Sequence, residues 1–185
     1  MRHMIIKMNL LKKLTSNIKF SSIIFSDNNR TIKISSTVLE SISKYIQKTD
    51  KALEAGGILL GREDKETNNL IIDSCTTPFP NDKRSKYSFY RIDKRHIVEY
   101  EKLNSNNENI YLYIGEWHTH PELEPSFSKI DYNNWININK EDNCYDFQYQ
   151  IIAGIEEIRI WKVEEDKEII KVYEKFWNDL MEEVI

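Results

Sequence analysis

Two histidines one residue apart, His118 and His120, are the side chains in this sequence best suited to bind a metal ion. Residues 111–114, just before them, are aromatic and β-branched, which predicts a strand. Side chains alternate faces along a strand, so both imidazoles project from one face, roughly 7 Å apart, and can converge on one ion. The residues that flank His118 point towards the expected core. Pro121 is expected to end the strand, since proline cannot donate a hydrogen bond to a sheet.

A serine and an aspartate three residues apart, Ser128 and Asp131, follow after a short loop that contains a second proline. The pattern predicts that a helix begins here, with Ser128 as the N-cap and Asp131 in the first turn. The loop is long enough to fold the helix start back onto the histidine face. Two imidazoles and one carboxylate would then surround one point, and catalytic zinc commonly has three such ligands and a water.

Each motif also has an ordinary structural explanation. Ser-x-x-Asp is an acidic variant of the capping box, and most such sequences only cap a helix. A lone His-x-His pair is more often not a metal site, because metal sites are usually larger clusters. Only the two motifs together predict a metal centre.

At this spacing the two motifs resemble the JAMM signature of the JAB/MPN zinc metalloproteases. That family also carries a glutamate well upstream, just before a glycine-rich strand, and Glu54 with the run 55–61 matches this description. The similarity extends over roughly residues 35–165. Its most specific part, Gly-Glu-Trp-His-Thr-His-Pro at 115–121, is similar to bacterial JAB proteases encoded beside E1- and E2-like enzymes, especially those of CBASS antiphage operons.

The resemblance implies a JAMM-type zinc metallo-isopeptidase with a role for each motif residue. His118, His120 and Asp131 would bind one catalytic Zn²⁺, which lowers the pKa of its bound water toward about 7. Glu54 would act as the general base toward that water and would later protonate the leaving amine. The Ser128 hydroxyl would help to stabilise the oxyanion. Neither cysteine is needed as a nucleophile.

The resemblance also implies a class of substrate. The family cleaves isopeptide or peptide bonds at the C-terminal tail of ubiquitin or a ubiquitin-like protein, and the tail often lies extended against a strand edge. For the CBASS-linked group the implied partner is a cyclic-nucleotide synthase conjugated through its C-terminus to a lysine, and the protease reverses that conjugation. The aromatic residues of the long segment 78–90 could line the substrate groove or simply cover the sheet. They are Phe79, Tyr87, Phe89 and Tyr90.

Three other functions stay open from the sequence. The protein could process a ubiquitin-like or sulfur-carrier protein in another pathway, belong with the DNA-associated RadC-like JAB proteins, or bind a partner without catalysis. The net charge of −4 and the lack of a lysine or arginine block argue against nucleic acid. The complete set of motif residues argues against an inactive scaffold.

Three acidic residues near the histidines are other candidates for metal ligands. Glu116 has the same strand parity as the histidines and could face the metal, and Glu122 and Glu124 are close in sequence. The resemblance gives Glu116 no ligand role, so we expect that it at most contacts the metal ligands without binding the metal itself. His3 and His96 have no second ligand nearby in the sequence and are expected to lie outside the site.

With 185 residues, 40% of them hydrophobic, the chain suits one globular domain. We expect residues 1–185 to form a single JAB/MPN-like domain, with 1–17 as a loose N-terminal arm. Cys75 and Cys144 are far apart and outside any CxxC pattern, which favours free thiols in a cytoplasmic protein over a disulfide. No run has the length of a transmembrane segment or the pattern of a signal peptide, so no membrane partner is expected.

The hydrophobic pattern predicts an α+β fold with mixed strands and helices. Ser36 or Thr37 should cap a first helix that ends near Thr49, and the second helix, 93–103, should turn Ile97, Tyr100 and Leu103 inward. A helix to about 139, a C-terminal antiparallel meander and a terminal helix complete the prediction. Strands are expected at 18–25, 31–34, 56–61, 70–77, 147–152, 156–163 and 168–173. The resembling family has a curved mixed, mostly antiparallel sheet flanked by helices, which agrees with this pattern.

Overall fold

The computed structural model describes residues 19–141, 148–164 and 166–182. The predicted N-terminal arm and Cys144 lie outside these ranges. The helices are α1 (Ser36–Ser43), α2 (Arg95–Ser105) and α3 (Lys129–Glu141), with a 3₁₀ turn at Trp177–Leu180. The strands are β1 (Lys19–Phe20), β2 (Ile23–Asp27), β3 (Arg30–Ile34), β4 (Gly56–Glu63), β5 (Leu70–Cys75), β6 (Lys83–Arg84), β7 (Phe89–Tyr90), β8 (Leu112–Thr119), β9 (Gln148–Ala153), β10 (Glu157–Val163), β11 (Ile169–Phe176) and β12 (Met181–Glu182).

One eight-stranded sheet organises the fold, in the order β11-β10-β9-β8-β4-β5-β3-β2. Two neighbouring pairs, β8 with β9 and β3 with β5, are parallel, and the others are antiparallel. The sheet is therefore mixed and mostly antiparallel, and the α+β prediction is confirmed. The C-terminal meander β9-β10-β11 is also confirmed.

The sheet curves so strongly that its two edges approach each other. Phe25 of the edge strand β2 packs against Tyr149 of β9 and Tyr173 of the opposite edge strand β11, with ring centroids 6.0 and 5.5 Å apart. The main core fills the concave side, where α1 contributes Val38 and Leu39. A second, smaller cluster between α3 and the meander supports the predicted metal site from behind.

The first helix is shorter than predicted. It begins after Ser35 instead of Ser36 or Thr37 and ends at Ser43, six residues before Thr49. The buried amide of Gln47 explains the early end, because it donates to Lys86 O and accepts from the Thr119 hydroxyl. These long-range hydrogen bonds hold the following segment away from a helical path.

The inward face of α2 differs from the prediction at one position. Ile97 is 54% exposed, whereas His96 is fully buried and Tyr100 and Leu103 pack on the core. Positions 96, 100 and 103 lie on one helical face, and the histidine takes the place in it that hydrophobicity alone would give to isoleucine. Its burial is offset by hydrogen bonds to Thr76 and Asp82.

The terminal helix predicted for residues 176–185 is wrong. Over the described part of that segment, the chain forms the 3₁₀ turn and then β12, which pairs with β1. Trp177 and Leu180 are buried, and the Trp177 indole donates to Gly154 O. A helix this short is only marginally stable by itself, whereas β12 forms backbone hydrogen bonds with β1. Among the described residues, no helix is both long and apolar enough to cross a membrane.

Candidate metal centre

The end of β8 carries the two motif histidines. His118 lies on the strand, opposite Gly56 of β4, and His120 follows directly after it, with its amide donating to Ala153 O. Both side chains are almost buried, and their Nε2 atoms face each other 3.0 Å apart. As predicted, the intervening Thr119 points away and is fully buried.

The start of α3 folds back onto the histidines, as the sequence predicts. Asp131 Oδ2 accepts the Ser128 amide at 2.6 Å, and Ser128 Oγ accepts the Asp131 amide at 3.2 Å. This reciprocal pair is the capping arrangement that the sequence left as an ordinary alternative. The same carboxylate lies 3.4 Å from His118 Nε2 and 3.6 Å from His120 Nε2. The two interpretations are therefore compatible, because the hydrogen bonds of the cap hold the Asp131 carboxylate in the orientation that faces the histidines.

These donor atoms have the spacing of a zinc site. With Zn–N distances of 2.0–2.1 Å, tetrahedral ligands lie about 3.3 Å apart, close to the separations among the two Nε2 atoms and the Asp131 oxygens. Two buried imidazole nitrogens and a carboxylate, all aimed at one point, are also the donor types that zinc prefers. The residues present therefore fit a zinc ion.

Glu54 reaches the same point from the segment before β4. Its side chain is 5% exposed, and its carboxylate and the ring nitrogens of His118 and His120 all lie within 4.8 Å of one another. Two carboxylates, those of Glu54 and Asp131, therefore lie near the histidine pair. Distance alone does not separate a ligand from a base.

Electrostatics separates the two carboxylates. Burial raises the pKa of Glu54 from 4.5 to about 7. Burial also acts to raise the pKa of Asp131, but the hydrogen bond and charge of His118, together with the Ser128 amide, hold it well below its usual range. A ligand has to be ionised, whereas a general base works best near neutral pH. This contrast favours Asp131 as the ligand and Glu54 as the base.

The imidazoles themselves are electrostatically coupled. Burial acts to lower the pKa of His118, but Asp131 outweighs it and the net shift is upward. Burial and the neighbouring His118 lower the pKa of His120. The two shifts are opposite because Asp131 lies close to both rings while each ring disfavours a charge on the other.

Comparison with known proteins identifies the family. Residues 36–164 match the prokaryotic homologs of the JAB domain. The chain belongs to this family. The resemblance seen in the histidine and serine–aspartate motifs is therefore confirmed.

Three relatives of this JAB protein are each named CD-NTase/cGAS isopeptidase. The protein from Pseudomonas aeruginosa is 34% identical over 122 residues, covering 65% of this chain and 76% of the relative. The Escherichia coli protein is 29% identical, with 62% and 72% covered, and the Vibrio cholerae protein is 27% identical, with 83% and 94% covered. The solution structure of a Desulfitobacterium hafniense protein has the same fold, with a TM-score of 0.52, 18% identity, and 76% of this chain and 88% of that chain covered.

The other acidic residues near the JAB site have partners of their own. Glu116 Oε1 accepts two hydrogen bonds from the Arg91 guanidinium, and the negative charge of Glu116 helps to raise the pKa of His118. Glu122 Oε2 accepts the Ser126 amide and lies 3.7 Å from His120 Nδ1. Its carboxylate is thus placed to orient the ring of His120.

A pocket of about 310 Å³ opens beside Glu54 and His120 in the JAB domain. Three of the four aromatic residues from segment 78–90 lie in its wall, namely Tyr87, Phe89 and Tyr90. The fourth, Phe79, packs against His96 instead, with ring centroids 4.8 Å apart. Three of these aromatic residues thus line the pocket, and Phe79 covers α2 at His96.

Sequence reasoning missed the residues that hold the Glu54 segment. Arg84 donates to the carbonyls of Leu53 and Glu54. Ile130 and Asn134 of α3 also line the pocket. The length of segment 78–90 indicated that it could be functional. No rule of residue spacing, however, links Arg84 to a carbonyl 30 residues earlier in the chain.

Proposed function

We propose that this protein is a zinc-dependent isopeptidase that cleaves after the C-terminal tail of a conjugated CD-NTase, reversing E1/E2-type conjugation in an antiphage system. The observation that carries the proposal is the convergence of Glu54, His118, His120 and Asp131 at the mouth of one pocket. Membership of the JAB family and relatives named CD-NTase/cGAS isopeptidase support the reaction and the substrate. A cytoplasmic location, with neither nucleic acid nor membrane as partner, belongs to the same proposal.

The metal would be held by His118, His120 and Asp131. A zinc ion bound there supplies a Lewis acid that polarises the scissile carbonyl and lowers the pKa of a bound water toward about 7. Asp131 is already fixed for this task by its hydrogen bond from the Ser128 amide. Trp135 packs behind His118, with ring centroids 6.3 Å apart, and limits the movement of that imidazole.

Glu54 moves the proton. Burial raises the pKa of Glu54, which makes its carboxylate a stronger base toward the attacking water, and the captured proton can then pass to the leaving amine. The Ser128 hydroxyl accepts the Asp131 amide and therefore keeps its own proton for donation. We assign this proton to the oxyanion that forms on the scissile carbonyl.

The pocket is suited to an extended tail. One wall, formed by β7 and the turn before it, carries Tyr87 and Tyr90, which are 71% and 50% exposed. The opposite wall, formed by α3, carries Ile130, which is 57% exposed. Exposed apolar side chains on both sides of a catalytic cleft favour a partner that covers them. A flexible C-terminal tail can do so while it places its last carbonyl near Glu54.

Cys75, the cysteine among the described residues, does not suit a thiol mechanism. Cys75 is a free thiol, and burial raises its pKa to about 12, so it is not a thiolate at neutral pH. It lies outside the pocket that contains Glu54 and His120. Cys144 falls outside the described residues.

A reporter protein fused to the C-terminal tail of a CD-NTase tests the proposal. We expect cleavage directly after the tail by the wild type and by the matched surface variant Glu101→Ala, and none by Glu54→Ala or by chelator-treated protein. Zinc should restore the chelated protein. Cleavage that survives chelation would refute the metal mechanism. Cleavage of a ubiquitin-like or sulfur-carrier tail, but not of the CD-NTase tail, would refute the substrate.

A further inference from the structure

A short hairpin packs against the segment that carries Glu54. It consists of β6 and β7 with their connecting turn, residues 83–90, and its register pairs Lys83 with Tyr90. Phe89 lies so close to Gly56 that a Cβ at that glycine would be 2.5 Å from the phenylalanine ring. The hairpin therefore sits directly on the backbone at the start of β4, two residues after Glu54.

The base of the hairpin is fixed by a buried carboxylate. The Asp82 side chain is fully buried and accepts the amides of Phe79, Ile92 and Asp93 as well as His96 Nε2. Bonds to Phe79 on one side and to Ile92 and Asp93 on the other close the segment that carries the hairpin. The hairpin is thus tied at its base to the sheet-packed helix α2, which limits its movement as a unit.

The hairpin in turn holds the backbone of the glutamate. Arg84 Nε donates to Glu54 O at 2.7 Å, and its Nη2 donates to Leu53 O at 2.9 Å. Ser85 O accepts the Glu54 amide at 2.8 Å. These three bonds satisfy the backbone polar groups of a segment that belongs to no helix or strand.

On its other side the glutamate segment is attached to the metal-binding strand. Ala55 donates to the Thr119 hydroxyl, and its carbonyl accepts the Thr119 amide. The segment around Glu54 is therefore hydrogen-bonded on one side to the strand that carries His118 and on the other side to the hairpin that forms the pocket wall. Because its side chain is buried, the direction of the carboxylate depends on these backbone attachments.

We propose that Arg84 is a positioning residue, which fixes the backbone of Leu53 and Glu54 so that the Glu54 carboxylate faces the reacting atoms. The inference depends on the proposed function, in which Glu54 is the base. Arg84 itself touches neither the motif histidines nor Asp131 through any hydrogen bond or ion pair described for it. Its effect should therefore appear in the chemical step rather than in metal binding.

Arg84→Ala tests the proposal in the zinc-loaded, full-length protein, with Lys83→Ala as the matched control. Lys83 is an exposed cation on the same strand. We expect kcat of Arg84→Ala to fall about 10- to 100-fold, the range that a displacement of about 1 Å produces, with KM and zinc content close to wild type. Lys83→Ala should keep wild-type kcat. Arg84→Lys, which keeps one donor, should lie between.

Chemical rescue separates positioning from a general loss of structure. Millimolar guanidinium, which can fill the space left by Arg84, should restore part of kcat in Arg84→Ala and leave the wild type unchanged. Unchanged kcat in Arg84→Ala, or a loss that follows zinc content and is not rescued, would overturn the inference.

Hydrogen exchange at the Glu54 amide gives a readout that needs no turnover. This amide is bonded to the hairpin through Ser85 O, so its exchange should be at least about tenfold faster in Arg84→Ala than in Lys83→Ala. Equal protection in the two variants would overturn the inference even if the wild type cleaves no tail. Lack of wild-type cleavage with the expected change in exchange would instead refute the proposed function alone.

Discussion

Two carboxylates beside the same pair of histidines, those of Glu54 and Asp131, have opposite environments in this protein. Asp131 lies at a helix N-terminus with an amide donor and an imidazole, and its pKa is lowered. Glu54 lies in a buried pocket edge, and burial raises its pKa to about 7. When the environments of two acids separate their pKa values, the acid with the lower pKa stays charged and the acid with the higher pKa can transfer protons.

Zinc content distinguishes these two acids. Glu54→Gln should bind zinc with wild-type stoichiometry, because the proposed function makes Glu54 the base and not a ligand. Asp131→Asn should weaken zinc binding by more than the roughly 10- to 100-fold that loss of an outer hydrogen-bond partner costs. Competition with a chromogenic chelator measures both, with the exposed Glu124→Gln as control. An empty site in Glu54→Gln would reverse the assignment.

The raised pKa of Glu54 predicts a pH-dependent stability of the metal-free protein. Below about pH 4.5 the folded and unfolded chains both carry the proton; between pH 4.5 and 7 only the folded chain keeps it, so stability falls as pH rises. Above pH 7 the cost is constant at about 3 kcal/mol. Glu54→Gln should therefore stabilise the chelated protein at pH 8 and have little effect at pH 4.5.

Urea denaturation at the two pH values measures this difference. A stabilisation of the same size at pH 4.5 and pH 8 would contradict it, because the glutamine would then act through packing rather than through the lost charge. The exposed Glu101→Gln gives the baseline for a surface substitution.

At the scale of elements, the site depends on the junction between β8 and β9. Gly115 has a φ of +150°, and a Cβ there would lie 1.9 Å from Tyr149 O of the neighbouring strand. Only glycine allows the two backbones to come this close. The parallel pair that results continues to His118, opposite Ile152, and to the bond from His120 to Ala153 O.

Gly115→Ala should lower the free energy of unfolding by about 3 kcal/mol or more, the range typical of backbone strain with a steric clash. Because β9 must move, zinc affinity should fall as well. Chemical denaturation and zinc titration measure the two effects. Ser26→Ala, at an exposed position of β2, is the control. A fully stable variant would show that the strands can separate at no cost.

The hairpin element makes a separate prediction at Asp82. Asp82→Ala leaves three amides and one imidazole without their acceptor, and we expect a loss of about 3 kcal/mol in unfolding free energy. Asp50→Ala, whose side chain is 99% exposed, should change stability little. Equal stability of the two variants in thermal denaturation would show that the buried carboxylate does not hold the hairpin base.

At the scale of the whole molecule, the proposed metal centre can exist only in the folded chain. Its residues come from the segment before β4, the end of β8 and the start of α3, which are joined by the sheet and not by sequence. A ligand that binds only the folded state stabilises it by mass action. Zinc at about 100 times its dissociation constant should therefore add about 2.7 kcal/mol.

Calorimetry with increasing zinc tests this linkage. The melting temperature of the wild type should rise with zinc and fall after chelation, and that of His120→Ala should respond to neither. A variant that keeps the full response would place the zinc elsewhere in the protein.

Much of this protein was predictable because its signals are local. Strand alternation placed His118 and His120 on one face, and the cap pattern placed Asp131 in the first turn of a helix. The meander followed from three apolar runs separated by turns. Each of these inferences depends on the side-chain periodicity of a single helix or strand, and that periodicity can be read directly from the sequence.

Other features were decided by contacts between distant residues. The early end of α1 depends on the bonds of Gln47 to Lys86 and Thr119, and the buried His96 on Asp82. The replacement of a terminal helix by β12 depends on an available edge at β1. Local propensity cannot report such partners, because burial and hydrogen bonding across the fold outweigh it.

The catalytic chemistry shows the same division. The sequence by itself determined which residue types are present and that two imidazoles and an aspartate can meet at one point. Only the tertiary structure decided that Glu54 is buried beside them and that Arg84 holds its backbone. The reason is physical: a pKa and a carboxylate direction are set by the groups packed around the side chain, and those groups come from every part of the chain.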